Sequence, residues 1–205
     1  MNSTPRRVRV SIAKRASLDD VILSRRMPTP ISRKLQFFLP VFIVTLAIDQ
    51  VTKRWIIGRF TYGEELEIIP GFFNLTHVRN PGGAFSFLAT MPEAIRQAFF
   101  LGTGALAIVL LLVFLSRLEP GEWLAATAIG GVLGGAIGNL ADRILYGEVI
   151  DFLDFRLIGG YIWPTFNMAD CWIVCGVTVL MIEMFLEPEV EEESDESTKV
   201  GAAGT

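Results

Sequence analysis

Apolar residues in this chain are clustered into long blocks rather than spread at helical or strand spacing. Four blocks stand out: Phe37 to Ile57, Ala94 to Leu115, Trp123 to Leu145 and Phe166 to Leu186. Each is about 20 residues, the length at which a helix crosses a hydrocarbon core of roughly 30 Å. A soluble protein of buried helices needs polar faces to cover them, and four blocks apolar all round leave too little polar surface for that. The pattern predicts a mainly α membrane protein with four transmembrane helices. The first block follows a polar stretch of about 36 residues and ends without a small-x-small cleavage site, so it reads as a span and not as a cleavable signal peptide.

Between the first and second blocks the pattern changes. RFTYGEELEIIPGFFNLTHVRNPGGAFSFL is broken by Gly63, Pro70, Gly71, Pro81, Gly82 and Gly83. Between the breaks, Glu65 to Ile69 and Phe72 to Val78 are alternating or β-branched. They predict a small β-cradle with tight turns over residues 59–90, between the first and second helices. Its aromatics, Phe60, Tyr62, Phe72, Phe73, Phe85 and Phe87, suit a lipid interface, though an ordinary loop can carry such a belt. The stretch from Tyr146 to Thr165 is read only as a second connection on the same side.

Charge supplies the orientation. Arg6, Arg7, Arg9, Lys14, Arg15, Arg25, Arg26, Arg33 and Lys34 precede the first span, against Asp19 and Asp20. The positive-inside rule therefore places the N-terminus in the cytoplasm, and four spans return the C-terminus there. Lys53, Arg54, Arg59 and Arg79 oppose the rule locally and are outweighed. The cradle then lies on the extracytoplasmic face. The net charge of −4 over 205 residues averages two unlike ends. Residues 1–36 form a basic leader suited to anionic lipid, and residues 187–205 an acidic tail; both are expected to be disordered. Met27 is an internal candidate start. The leader's arginines lack the aromatics on which bases stack, which argues against nucleic acid as a partner. Cys171 and Cys175, with His77 as the only histidine, are too few for a metal site and are read as small packing residues.

The third block contains IGGVLGGAIGN. Gly130, Gly134 and Gly138 repeat every four residues, as do Gly131 and Gly135, a spacing that lets another helix approach closely. Asn139, Asp142 and Arg143 follow on one helix face, Asn167 and Asp170 are three apart at the start of the fourth block, and Asp49 and Lys53 are four apart in the first. Ionisable groups in a span tend to face protein interior. Asp49 with Lys53, and Asp142 with Arg143, can be read as structural ion pairs. Asp151 and Asp170 are then left without an evident partner. Two carboxylates in one low-dielectric site cannot easily both ionise, so one keeps a proton while the other acts as base, the aspartic-protease arrangement. Asn80, in NPGGAF, offers a donor and an acceptor beside freed backbone N–H groups, which suits an extended peptide but also a common turn. The chain has no HExxH and no GxSxG elbow.

Five motifs in order resemble the lipoprotein signal peptidase (signal peptidase II) family over residues 37–186: DQVTK at Asp49 to Lys53, NPGGAF at Asn80 to Phe85, GGAIGNLADR at Gly134 to Arg143, EVIDF at Glu148 to Phe152, and FNMAD at Phe166 to Asp170. The resemblance implies an aspartic endopeptidase of the bacterial cytoplasmic (inner) membrane, working as a monomer without metal or organic cofactor. It implies Asp151 and Asp170 as the catalytic pair. Asn80, Asn139, Arg143 and Asn167 would be substrate-binding or site-supporting residues, as would Asp49, Lys53 and Asp142. Asp142 is the rival for a place in the pair. The implied substrate is a diacylglyceryl-modified prolipoprotein, cut on the N-terminal side of its lipidated cysteine. The chain departs from the family in reading Pro-Gly-Gly-Ala after Asn80 and in its long leader. Two other readings remain: a small transporter with the aspartates in an ion path, and a non-catalytic assembly factor.

Overall fold

A computed structural model describes residues 33–83, 87–119, 121–157 and 159–186. The tail, most of the leader and Phe85 lie outside the described residues. Four helices are long and apolar enough to cross a membrane: α1 (Arg33–Arg59), α2 (Glu93–Arg117), α3 (Trp123–Tyr146) and α4 (Met168–Leu186). The first begins four residues before the apolar block, because Arg33 and Lys34 extend it at its polar end. There Lys34 Nζ donates to the carbonyls of Leu115, Ser116 and Leu118 at 2.9–3.1 Å, satisfying acceptors that the end of α2 leaves without helical partners.

The bundle is organised around α3, which is buried along most of its length from Ala125 to Asp142. The glycine spacing explains how. A methyl group at Gly130 would meet the Phe38 carbonyl at 2.8 Å, and one at Gly134 or Gly138 would collide with Thr45 or Asp49, all on α1. On the adjacent stripe, a methyl at Gly135 would lie 2.5 Å from the Ala169 carbonyl of α4. Gly176 of α4 returns the relation against the Ala128 carbonyl at 2.8 Å. Two faces of one helix thus admit two neighbours at backbone contact, as small-residue stripes permit in membranes.

At one end of the bundle lies an antiparallel sheet in the order β1 (Glu65–Ile69), β2 (Phe73–Asn80), β3 (Val149–Arg156), β4 (Ile162–Phe166). The predicted cradle is there, with strands close to the expected limits, but it is only half of the sheet. The other half comes from the connection between α3 and α4. Pro164 and the Gly159–Gly160 pair disguise β4 in the sequence; proline is tolerated because β4 is an edge strand. In β3 both faces are covered over Val149 to Phe152, so it lacks the in–out alternation that marks a half-exposed strand. Ile150 and Phe152 pack with Ile56 and Phe60 of the α1 end, and Leu75, Leu153 and Met168 close the cluster. Phe60, expected at the lipid interface, is instead buried here, while Tyr62, Phe72 and Phe87 are exposed.

Candidate active site

Three local devices set the positions of the polar side chains. Gly147 ends α3 in the left-handed conformation (φ 76°), its N–H closing on the Arg143 carbonyl at 3.0 Å. The chain can then turn directly into β3 and deliver Asp151 opposite Val78 of β2. At the other end of that pairing, Asn80 bends back through its own turn: Oδ1 accepts the Gly82 N–H at 2.9 Å. The third device is a capping box at the start of α4. Asn167 Oδ1 accepts the Asp170 N–H at 3.1 Å, and Asp170 Oδ2 accepts the Asn167 N–H at 3.2 Å. The reciprocal pair satisfies two donors that a helix start otherwise leaves open and fixes the Asp170 carboxylate.

Asp151 and Asp170 meet in this setting. Asp151 Oδ2 accepts from Asn80 Nδ2 (3.0 Å) and Oδ1 from Asn167 Nδ2 (2.7 Å). Asp170 Oδ1 accepts from Asn139 Nδ2 (2.9 Å). All three asparagines are oriented by groups that only donate. The Gly82 N–H holds the Asn80 oxygen, the Asp170 N–H holds the Asn167 oxygen, and Lys53 Nζ holds the Asn139 oxygen at 2.8 Å. Each amide must therefore turn an N–H toward a carboxylate. The aspartates that lacked an evident partner in the sequence are served by amides, and among the described residues neither forms a salt bridge. Burial pushes the Asp151 carboxyl up to about 7; the neighbouring Asp170 charge adds to this, while the Asn80 and Asn167 hydrogen bonds and Lys53 oppose it.

Below the pair lies a buried ion triad. Lys53 Nζ is 2.9 Å from Asp49 Oδ2 and 2.8 Å from Asp142 Oδ2, with all three residues almost fully buried. The expected Asp49–Lys53 pair is present. The Asp142–Arg143 alternative is not: Asp142 turns to Lys53, while Arg143 donates to the Gly82 carbonyl at 3.0 Å and lies 4.5 Å over the Phe100 ring. Adjacent residues on a helix point about 100° apart, so neighbours in sequence seldom pair. Arg143 thereby ties the Asn80 turn to α3. Arg156, at the end of β3, pairs with Glu65 and Asp154 on the sheet. Gln50 was missed: its Nε2 reaches Asp49, Asp142 and the Gly138 carbonyl at 3.2–3.3 Å. Its place within DQVTK, one residue after Asp49, was the available signal.

Four membrane-spanning helices with a braced carboxylate pair at one end define a multi-pass membrane protein with a site suited to acid–base hydrolysis. Residues 41–186 match the family described as Signal peptidase (SPase) II. A lipoprotein signal peptidase of Syntrophus aciditrophicus is 43% identical over 152 residues, 74% of this chain and 94% of that protein. One from Ralstonia nicotianae is 44% identical over 146 residues, 71% and 82% of the two chains. A solved bacterial membrane enzyme, determined by the in meso method at 1.9 Å, superposes with a TM-score of 0.65 at 31% identity, covering 73% of this chain and 93% of its own. The chain belongs to the signal peptidase II family, and is a membrane-embedded peptidase.

Proposed function

We propose that Asp151 and Asp170 are the catalytic pair with which this peptidase removes signal peptides from diacylglyceryl-modified prolipoproteins, cutting on the N-terminal side of the lipidated cysteine. The observation that carries the assignment is the convergence of three oriented asparagines on these two carboxylates. Family membership supports the substrate class. Asp151, the more buried of the two and pushed up to about 7 by that burial, holds the proton. Asp170 takes a proton from water, whose oxygen attacks the scissile carbonyl carbon, while Asp151 protonates the carbonyl oxygen. Collapse of the tetrahedral intermediate breaks the C–N bond, and a proton returned by the pair leaves with the amine. Arg143 and Asn80 hold the Gly82 turn in place beside the pair.

The reading includes the topology drawn from charge: both termini cytoplasmic in the bacterial inner membrane and the sheet outside, where a substrate helix enters from lipid and water reaches the scissile bond. The enzyme is read as a monomer. Purified protein in detergent is expected to shorten a diacylated prolipoprotein on a gel and to leave the unacylated precursor intact. Equal cutting of both would remove the lipid requirement, and cutting of neither would sink the substrate assignment.

The raised Asp151 also sets a pH dependence. Below about 7 Asp151 carries its proton and the acid is available; above it, ionisation beside Asp170 removes the acid. The kcat/KM for a diacylated peptide is therefore expected to fall as pH rises through about 7. The folded protein also loses stability from the ordinary carboxylate range up to that pH, because the unfolded chain has already released the proton. A kcat/KM flat from pH 6 to 9 would contradict the assignment of Asp151 as the acid.

A further inference from the structure

The triad's carboxylates do more than neutralise Lys53. Asp49 Oδ1 accepts the backbone N–H of Ala169 at 2.9 Å, and Ala169 immediately precedes Asp170. Asp142 Oδ2 accepts the backbone N–H of Ile150 at 3.2 Å, and Ile150 immediately precedes Asp151. Ala169 lies in the first turn of α4, where an N–H has no acceptor within its own helix. Asp49 supplies one from α1. One ammonium draws both carboxylates together, and each grips the chain one residue before a member of the pair.

We infer that the Asp49–Lys53–Asp142 triad is a positioning device that sets the separation of Asp151 and Asp170 through the Ile150 and Ala169 amides. This rests on the catalytic assignment made above. A fixed scaffold matters because small misplacements of reacting groups cost large factors in rate. The triad is almost fully buried and acts on Asp151 and Asp170 through the backbone, so its loss is expected to act on turnover rather than on substrate binding.

The geometry makes an asymmetric prediction. At Asp142 one oxygen serves both Lys53 and the Ile150 N–H. An asparagine there can place its single carbonyl oxygen in that position and keep both bonds, giving up only the contact of the other oxygen with the Gln50 side-chain amide at 3.3 Å and leaving a neutral Lys53–Asp49 pair. At Asp49 the two oxygens are divided: Oδ1 serves Ala169, and Oδ2 serves Lys53 and Gln50. An asparagine can serve only one side and turns an N–H at the other donor.

The experiment measures kcat and KM of Asp142→Asn, Asp142→Ala and Asp49→Asn on a diacylated substrate, with Asp151→Asn and Asp170→Asn alongside. Asp142→Asn is expected to keep kcat within about tenfold of wild type, and Asp49→Asn and Asp142→Ala to fall at least about tenfold lower, all with KM near wild type. If Asp142→Ala fails to fold, the order of Asp142→Asn above Asp49→Asn decides. The inference is overturned if Asp142→Asn is as inactive as Asp142→Ala, if Asp49→Asn equals or exceeds Asp142→Asn, or if the losses fall in KM. Substantial turnover by Asp151→Asn or Asp170→Asn instead removes the catalytic assignment, a different outcome from a different pair of proteins.

Discussion

Asp151→Asn and Asp170→Asn are each expected to lower kcat on a diacylated prolipoprotein by about 10³-fold or more, with folding intact, because each removes one half of the proton-transfer pair. Asparagine keeps the volume and much of the hydrogen bonding of the carboxylate. At position 170 its oxygen can still accept from Asn167 in the capping box, so α4 should start where it does now. At position 151 removing a group that resists ionisation in the fold favours the variant above neutral pH, while the asparagine N–H facing Asn80 or Asn167 opposes it, so stability is expected to change little. The double variant should be scarcely slower than either single one, because the two act as a unit. Turnover is read by gel shift, and folding by gel filtration and thermal unfolding in detergent. A folded Asp151→Asn protein that still cuts at near the native rate would end the assignment.

Lys53→Met should produce the largest loss of stability. The substitution keeps most of the apolar stem and removes the ammonium, so two almost fully buried carboxylates are left without a cation. Removing one partner from a buried charge pair typically costs about 3–5 kcal/mol. Asn139 also loses the shorter of the two bonds that hold its oxygen, keeping only that from Asn167 Nδ2 at 3.2 Å, so its amide is fixed less firmly toward Asp170. The loss is measured by thermal unfolding in detergent or by protease resistance. Adding Asp142→Asn to Lys53→Met should recover part of it, since one uncompensated charge is then gone. Native stability in Lys53→Met would mean that water reaches the triad.

Much of this architecture was legible because it follows from simple periodicities. Long apolar blocks mark spans, and glycines at fourfold spacing mark where helices close on α3. Glu65 to Ile69 and Phe72 to Val78 carry a strand pattern between turn residues. What was not legible depends on contacts between distant segments. The alternation that would have revealed β3 is erased because Val149 and Asp151 are buried on one face while Ile150 and Phe152 pack on Ile56 and Phe60 on the other. Asp142 was assigned to its sequence neighbour Arg143, while its partner, Lys53, lies on another helix. The two aspartates singled out in the sequence are brought into one site; residue types and spacing showed them no evident partner, and the amides that serve them, Asn80, Asn139 and Asn167, are those the family resemblance implies as site-supporting. The backbone N–H groups of Ile150 and Ala169 have no side-chain signature in the sequence.

The dispersal of this site along the chain has a consequence for biosynthesis. Asn80 precedes the second span, Asn139 lies in the third, Asp151 lies beyond it, and Asn167 and Asp170 open the fourth. A nascent polypeptide that has emerged only to Phe166 possesses three spans and all four strands, yet has no capping box and only one carboxylate of the pair. On the proposed assignment, hydrolytic capacity arrives only with the fourth span, and a chain still inserting its first three is silent.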